Sequence, residues 1–178
     1  IQTCREKAEA FNTIRTLIRR YAMPTVREQL SRMQRTADDL SAALRGQPEA
    51  AVAGRPAETA WAAKEIICHL RDTEDLFLNR FQAILAENEP KLSGPPENER
   101  MATERGYLKE DAQKALETFR AKRQANLRFL QGLTPAQLER GGLHPTRGRM
   151  TVRDFVGVMA SHDDAHLDQL KRALDGKA

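Results

Sequence analysis

Apolar residues recur every three or four positions over long stretches of this chain, and this spacing limits the fold more than any other feature. Between residues 26 and 44 they form an uninterrupted 4-3-4-3-4 series: Val26, Leu30, Met33, Ala37, Leu40 and Leu44. Such a series places a single apolar stripe along one face of an α-helix. No segment shows the strict alternation of apolar and polar residues that is typical of a half-buried strand. The pattern therefore predicts an all-α fold.

Three further segments carry the same kind of stripe. They span residues 62–87, 109–131 and 151–174. The last of them begins with Thr151 and Asp154, a pair that is typical of a helix N-terminus. Four long amphipathic helices in one chain predict a four-helix bundle, in which each helix buries its stripe against the others.

An extra amphipathic helix is predicted before Pro24. We assign residues 1–22 to this N-terminal helix or extension and residues 23–178 to a single bundle domain. The segment 46–60, rich in Ala, Gly and Pro, is interpreted as a connection, because too little chain precedes it to fold alone. The segment 89–105 contains three prolines among charged residues and is interpreted as an exposed crossover.

The distribution of charge argues against a nucleic-acid-binding protein. The net charge is +4, and the first 20 residues contain five basic and two acidic side chains, so the rest of the chain is nearly neutral. No stretch combines clustered Lys and Arg with interleaved aromatics. No apolar run is long enough to span a bilayer, and two unrelated cysteines suggest a reducing compartment. We therefore expect a cytoplasmic protein with neither nucleic acid nor membrane as a partner.

Three of the four histidines are predicted to share one metal site. His162 and His166 lie four residues apart on the buried stripe of the last helix, so their rings stack on one face. His69 lies at the edge of the stripe of the 62–87 helix. A single buried histidine is usually satisfied by one hydrogen bond. Three facing imidazoles need several partners, and one divalent cation satisfies them together.

Other candidate residues near the triad have less specific interpretations. The spacing from His162 to His166 resembles the metalloprotease motif H-E-x-x-H, but Asp163 replaces the catalytic Glu, so that class is rejected. Glu65, Asp72 and Asp163 could orient the histidines or move protons, and the alternative for Glu65 and Asp72 is a solvated charge on a helix. Arg123 falls near a buried stripe, where pairing with a carboxylate, snorkelling or binding of a substrate anion are all open.

The remaining two candidates are interpreted in a similar way. Cys68 precedes His69 in the chain, and consecutive side chains of an α-helix point about 100° apart around its axis. Cys68 is therefore expected to be a packed thiol, not a fourth ligand. His144 lies in a predicted loop, residues 143–150, where a surface role is expected; a gate or proton shuttle over the metal is the functional alternative.

Three separated segments resemble the DinB/YfiT-like superfamily in order and spacing. They are residues 61–74 (WAAKEIICHLRDTE), 143–154 (LHPTRGRMTVRD) and 162–170 (HDDAHLDQL). The resemblance covers about residues 25–176. One departure is Ala62, which stands where relatives have Ser or Thr as a helix cap, so Thr59 is an alternative start for that helix.

The resemblance implies an up-down-down-up four-helix bundle, a homodimer, and a divalent metal, zinc or nickel, on His69, His162 and His166. Relatives include thiol-dependent transferases, a maleylpyruvate isomerase and a protein classed as a metal-dependent hydrolase. We therefore expect a three-histidine site that activates water or a low-molecular-weight thiol against a small-molecule substrate. The alternative is a metal-binding or stress-response bundle without catalysis, and no catalytic residue is assigned.

Overall fold

The computed structural model describes residues 24–94 and 98–178, and four long helices dominate it. The long helices are α1 (Val26–Leu44), α3 (Ala63–Ala86), α5 (Ala112–Gln131) and α7 (Val152–Leu174). The shorter elements are α2 (Glu49–Ala53), α4 (Asn98–Glu104), a 3-10 turn (Tyr107–Lys109), α6 (Pro135–Leu138), β1 (Gly141–His144) and β2 (Gly148–Thr151). The predicted four-helix bundle is confirmed. The helix predicted within residues 1–22 lies outside the described residues.

Side chains that accept hydrogen bonds from free backbone N–H groups determine where the helices begin. Thr25 caps α1 in a reciprocal arrangement with Glu28, and Thr151 caps α7 in the same way with Asp154. Asp111 caps α5, so this helix begins at Ala112 and not at the predicted residue 109. The helix α3 begins after Ala62, where only half of the reciprocal cap exists. The backbone N–H of Ala62 donates to the Glu65 carboxylate at 3.0 Å, but the alanine side chain cannot accept a bond in return. Because the helix begins directly after Ala62, the alternative start at Thr59 is wrong.

Contacts between the long helices establish the up-down-down-up order. Helices α1 and α7 run parallel, because Gln29 lies against Gly157 and Thr36, farther along α1, bonds to Asp163. Helices α3 and α5 are also parallel. Helix α3 is antiparallel to α7, and α1 is antiparallel to α5. Because parallel neighbours need a connection as long as the helix itself, the chain between α3 and α5 must return along the bundle.

A polar layer divides the bundle interior into two apolar clusters. One cluster is built from the second half of α1 and α7 with the first half of α3 and α5; it includes Leu40, Ile66, Leu70, Phe119 and Leu170. The other is built from the opposite halves and includes Met33, Phe77, Phe81, Phe155 and Met159. Between them lie buried polar side chains: Thr36, His69, Thr73, Glu74, Arg123, Asn126 and Asp163. The histidine His69 and the acidic candidate Asp163 therefore lie in the middle layer of the bundle.

The connections contain more regular structure than the sequence predicted. Residues 143–150, expected to be a loop, belong to an antiparallel hairpin of β1 and β2, whose tight turn includes Gly148 at φ 71°. Leu143 also pairs with the segment around Lys91. Each strand has only four residues, which is too short for an alternation of apolar and polar side chains to be recognised in the sequence. The predicted connection 46–60 includes α2, and within the described residues no helix is long and apolar enough to cross a membrane.

Candidate metal centre

The structure brings His69, His162 and His166 together. One nitrogen of each ring lies within 4.8 Å of the corresponding nitrogens of the other two. The Nε2 atoms of His69 and His162 are 3.0 Å apart. Helix α3 supplies His69, and adjacent turns of α7 supply the other two rings because residues four apart share a helix face. The three histidines that the sequence predicted to lie together are therefore neighbours in the structure.

Hydrogen bonds determine which nitrogen of His166 is available for a ligand. Its Nδ1 lies 2.8 Å from the carboxamide oxygen of Gln169, one turn farther along α7. Because a carboxamide oxygen only accepts, Nδ1 carries the proton and Nε2 carries a lone pair. His69 has no such support: its Nδ1 is buried without a hydrogen-bond partner among the described residues.

The environment keeps the three imidazoles neutral. Burial, followed by the repulsion of His166 and His162, lowers the pKa of His69 to about 3. Burial and the neighbouring His166 likewise lower the pKa of His162 to about 3. The pKa of His166 is also lowered, chiefly by burial. At neutral pH the three rings therefore present lone pairs, the form in which histidine binds a metal ion.

The donor set fits a divalent cation. Two nitrogens on one tetrahedral zinc ion are about 3.3 Å apart, given Zn–N bonds of about 2.0–2.1 Å. The observed Nε2–Nε2 distance of 3.0 Å between His69 and His162 is close to this value. The two Nε2 atoms face each other within the buried cluster, and one divalent cation would bind a lone pair from each ring.

In the part of the chain that the structure describes, no fourth protein group belongs to the cluster. Within residues 24–94 and 98–178, the group consists of three histidines and includes no Cys, Asp or Glu. Cys68 is fully buried and its Sγ lies 4.0 Å from the backbone oxygen of Tyr107. Burial raises the pKa of this thiol to about 12, so it stays protonated. The prediction that Cys68 is a packed thiol is confirmed.

Two residues that support the rings were not identified as such from the sequence. The indole of Trp61 lies 5.1 Å from the His69 ring and 6.4 Å from the His166 ring, nearly parallel to the latter. The indole thus contacts two of the three rings, and the ring of Phe77 lies 6.2 Å from that of His162. Gln169 fixes His166. The spacing of three from His166 to Gln169 was a usable signal, since such residues are neighbours on a helix.

The three acidic candidates do not hydrogen-bond to the histidines. Glu65 is buried; its carboxylate accepts a hydrogen bond from the backbone N–H of Ala62 and forms an ion pair with Arg55. The Asp72 carboxylate has only 6% of its side-chain surface exposed and is held by Arg71 and Arg105. The interpretation of Glu65 and Asp72 as solvated helix charges is therefore wrong. Hydrogen bonds from Arg71, Arg105 and the Tyr107 hydroxyl outweigh burial and keep the pKa of Asp72 below its usual value.

Asp163 belongs to the polar layer next to the histidines. It receives hydrogen bonds from the Arg123 guanidinium and, at 2.7 Å, from the Thr36 hydroxyl. Arg123 also bonds to Glu74, whose other carboxylate oxygen accepts from Asn126 at 2.9 Å. All five side chains are buried. Of the alternatives for Arg123, carboxylate pairing is correct, and the network fixes α7 beside His162.

A cavity of about 580 Å³ opens beside the cluster and is lined by both His69 and His162. Its apolar walls include Phe77, Met150 and Phe155. His144 also lines it and is only 7% exposed, so the expected surface position is wrong. The hairpin turns the histidine inward, because alternate residues of a strand point to opposite faces.

Comparisons with known proteins agree with this architecture. The family model of the DinB superfamily matches residues 32–170. Among solved structures, YfiT from Bacillus subtilis superposes with a TM-score of 0.78 over 86% of this chain and 89% of that chain, at 17% identity. YfiT is described as a probable metal-dependent hydrolase with an unusual four-helix bundle topology. No curated protein matches the chain in sequence.

Proposed function

The chain belongs to the DinB superfamily, and on this basis we propose that it is a divalent-metal-dependent enzyme whose ion binds to His69, His162 and His166. The observation that carries the proposal is the convergence of three neutral imidazole nitrogens beside a cavity, with no fourth protein ligand among the described residues. Three protein ligands are typical of catalytic sites, whereas structural zinc sites are closed by four.

Hydrolysis of a small molecule is the reaction that we favour. A bound divalent cation would supply a nucleophile at neutral pH, from water or from a low-molecular-weight thiol, and would polarise the bond under attack. The preference for water follows from the structural likeness to YfiT, which is described as a probable metal-dependent hydrolase. Zinc or nickel is the ion that we propose, because both suit imidazole ligands.

The surrounding residues have separate tasks in this proposal. Gln169 holds the His166 ring with its proton on Nδ1, so that Nε2 remains free for the ion. Trp61 covers the cluster on one side, and Phe77 and Phe155 exclude water from part of the cavity wall. No carboxylate hydrogen-bonds to the rings within the described residues, so we assign no protein group as the general base.

The test is metal analysis of purified wild-type protein, His162→Ala and His144→Ala. We expect about one equivalent of zinc or nickel in the wild type and in His144→Ala, and none in His162→Ala. His144→Ala is the matched control, since it removes an imidazole from the same cavity without touching the cluster. Circular dichroism checks that each variant is folded.

Two results would decide against the proposal. A wild-type protein that stays metal-free after incubation with zinc or nickel would remove the metal site. A metal that binds but accepts neither water nor added thiol, observed as a closed coordination shell by X-ray absorption, would favour the non-catalytic alternative. If ester and amide probes are not hydrolysed but added thiol is consumed, the transferase reaction replaces hydrolysis.

A further inference from the structure

One wall of the cavity carries positive charge that has no acidic partner among the side chains that the structure describes. Arg80 lines this wall and is only 6% exposed. Its Nη2 donates to the backbone oxygen of Ser93 at 2.9 Å, and its Nε is buried and has no partner in the part of the chain that the structure describes. The guanidinium carbon lies 5.9 Å from the centre of the Phe77 ring and 5.4 Å from that of Phe155. A buried cation of this kind is normally paired.

Two other groups in the same cavity add to this charge. Arg147, in the turn of the hairpin, lines the cavity and is exposed. Burial and, next, the positive charge of Arg147 lower the pKa of Arg80. The Nδ1 of His144 accepts from the backbone N–H of Thr146 at 3.3 Å, so the neutral ring carries its proton on Nε2 and can donate a hydrogen bond.

The carboxylates of the cavity do not neutralise these groups. Asp72 and Asp75 both line it, but Asp72 is held by two other arginines and Asp75 by Lys122 at 2.7 Å. Among the side chains of residues 24–94 and 100–178, neither Arg80 nor Arg147 forms an ion pair. Their charges are therefore available to an anion that enters the cavity.

The positive wall and the histidine cluster lie within the reach of one small molecule. The His162 and Phe77 ring centres are 6.2 Å apart, and the Arg80 guanidinium carbon lies 5.9 Å from the same Phe77 ring. The distance from the His162 ring centre to the Arg80 guanidinium carbon therefore cannot exceed the sum of these two distances. Between them the wall is formed by aromatic rings. A bound molecule would meet a polar group at each end and apolar surface in the middle.

We propose that Arg80, Arg147 and His144 form an anion subsite, and that the substrate is a small carboxylate whose reacting group lies at the three histidines. A planar carboxylate suits the guanidinium, which binds it through parallel N–H groups. The identification as a substrate group rests on the proposed hydrolytic function. Binding of the anion itself does not, because no histidine of the cluster belongs to the subsite.

The probes are benzoate and benzamide, which have nearly the same shape but differ in charge. Each is titrated by NMR into the full-length protein, as purified and after chelation. We expect benzoate to bind both forms, and Arg80→Gln and Arg147→Gln to weaken its binding by about tenfold or more. Benzamide should bind more weakly than benzoate and respond to neither substitution. The matched control is Arg45→Gln, which removes one positive charge from an exposed position at the end of α1.

The outcomes separate this subsite from the metal site. Benzoate that fails to bind the wild type, binds no better than benzamide, or binds both arginine variants as well as the wild type overturns the subsite. Binding that disappears on chelation and in His162→Ala, yet survives in both arginine variants, shows that the probe ligates the metal and also overturns it. Benzoate binding that persists in a protein without metal supports the subsite even where the proposed function fails. Arg147→Gln, at an exposed turn, tests the subsite independently if Arg80→Gln does not fold.

Discussion

At the level of single residues, His166 is the ring of the cluster whose orientation the protein fixes most directly. Its Nδ1–H donates to Gln169 on the same helix, whereas the Nδ1 of His69 is buried and has no partner among the residues that the structure describes. A metal ligand held by a second hydrogen bond loses less freedom on binding and is more basic. Gln169 should therefore contribute to affinity although it does not reach the ion.

Replacing Gln169 by Leu should weaken metal binding by about 10- to 100-fold, because His166 loses the acceptor that fixes its tautomer and ring orientation. Competition with a chromophoric chelator measures the dissociation constant. Gln169→Glu is the matched control, since a carboxylate can accept the same hydrogen bond. Equal affinity in the wild type and Gln169→Leu would show that the bond has no role in binding.

The stability of the metal-free protein should decrease as the pH falls from about 6.5 towards 3. His69 and His162 have a pKa of about 3 in the folded chain, against about 6.5 when unfolded. Within this window only the unfolded chain takes up these protons, so acid favours unfolding by at most about 1.4 kcal/mol per pH unit for each histidine.

Urea unfolding of the chelated protein at several pH values between 7 and 4 tests this dependence. Carboxylates also titrate in the lower part of the range, so His162→Leu is the comparison. Its free energy of unfolding should vary less with pH than that of the wild type. Identical slopes would show that His162 does not resist protonation.

At the level of elements, the polar layer links all four long helices through one guanidinium. Arg123 of α5 bonds to Glu74 of α3 and to Asp163 of α7, and its Nη1 also donates to the backbone oxygen of Met33 in α1 at 3.0 Å. Arg123 is 2% exposed and Asp163 follows His162 directly. The network therefore connects the packing of α5 with the position of the histidines on α7.

Replacing Arg123 by Met should lower the free energy of unfolding by about 3–5 kcal/mol, because two buried carboxylates lose their counter-charge. Burial and the Asp163 charge already act to raise the pKa of Glu74 despite Arg123, so removal of the cation should raise it further. Denaturant titration measures the effect. Arg120→Met is the control on the same helix: its exposed pair with Asp38 should contribute no more than about 1 kcal/mol. Equal losses in the two variants would contradict the prediction.

At the level of the whole molecule, a metal that binds only the folded chain should stabilise the entire bundle. The three ligands come from α3 and α7, which pack against each other, and the ion would hold these helices together. At a free metal concentration 100 times the dissociation constant, the expected gain is about 2.7 kcal/mol.

Chelation should accordingly lower the melting temperature of the wild type by roughly 5–10 °C. Differential scanning calorimetry with and without chelator measures the shift. His162→Ala should melt at the same temperature in both conditions. A wild type whose melting temperature ignores the chelator would indicate that no ion is bound as isolated. The predicted homodimer is an independent question that sedimentation equilibrium can answer.

The sequence by itself determined the four long helices and the identity of the histidine cluster. The stripes of α1, α3, α5 and α7 are local patterns, and the spacing from His162 to His166 places both rings on one face whatever the rest of the chain does. Resemblance of three motifs then indicated the order of the helices.

Tertiary structure decided which partners the polar residues have. Arg80 lies three residues after Phe77 and shares the buried helix face of Thr73 and Phe77. The sequence could not show that it faces a cavity whose carboxylates, Asp72 and Asp75, pair with other cations. His144 turns inward because a short hairpin forms where a loop was expected. The physical reason is that helical periodicity determines the direction of a side chain around its own axis. Periodicity does not determine how far neighbouring helices are shifted along their axes relative to each other. That shift determines which charged side chains come into contact.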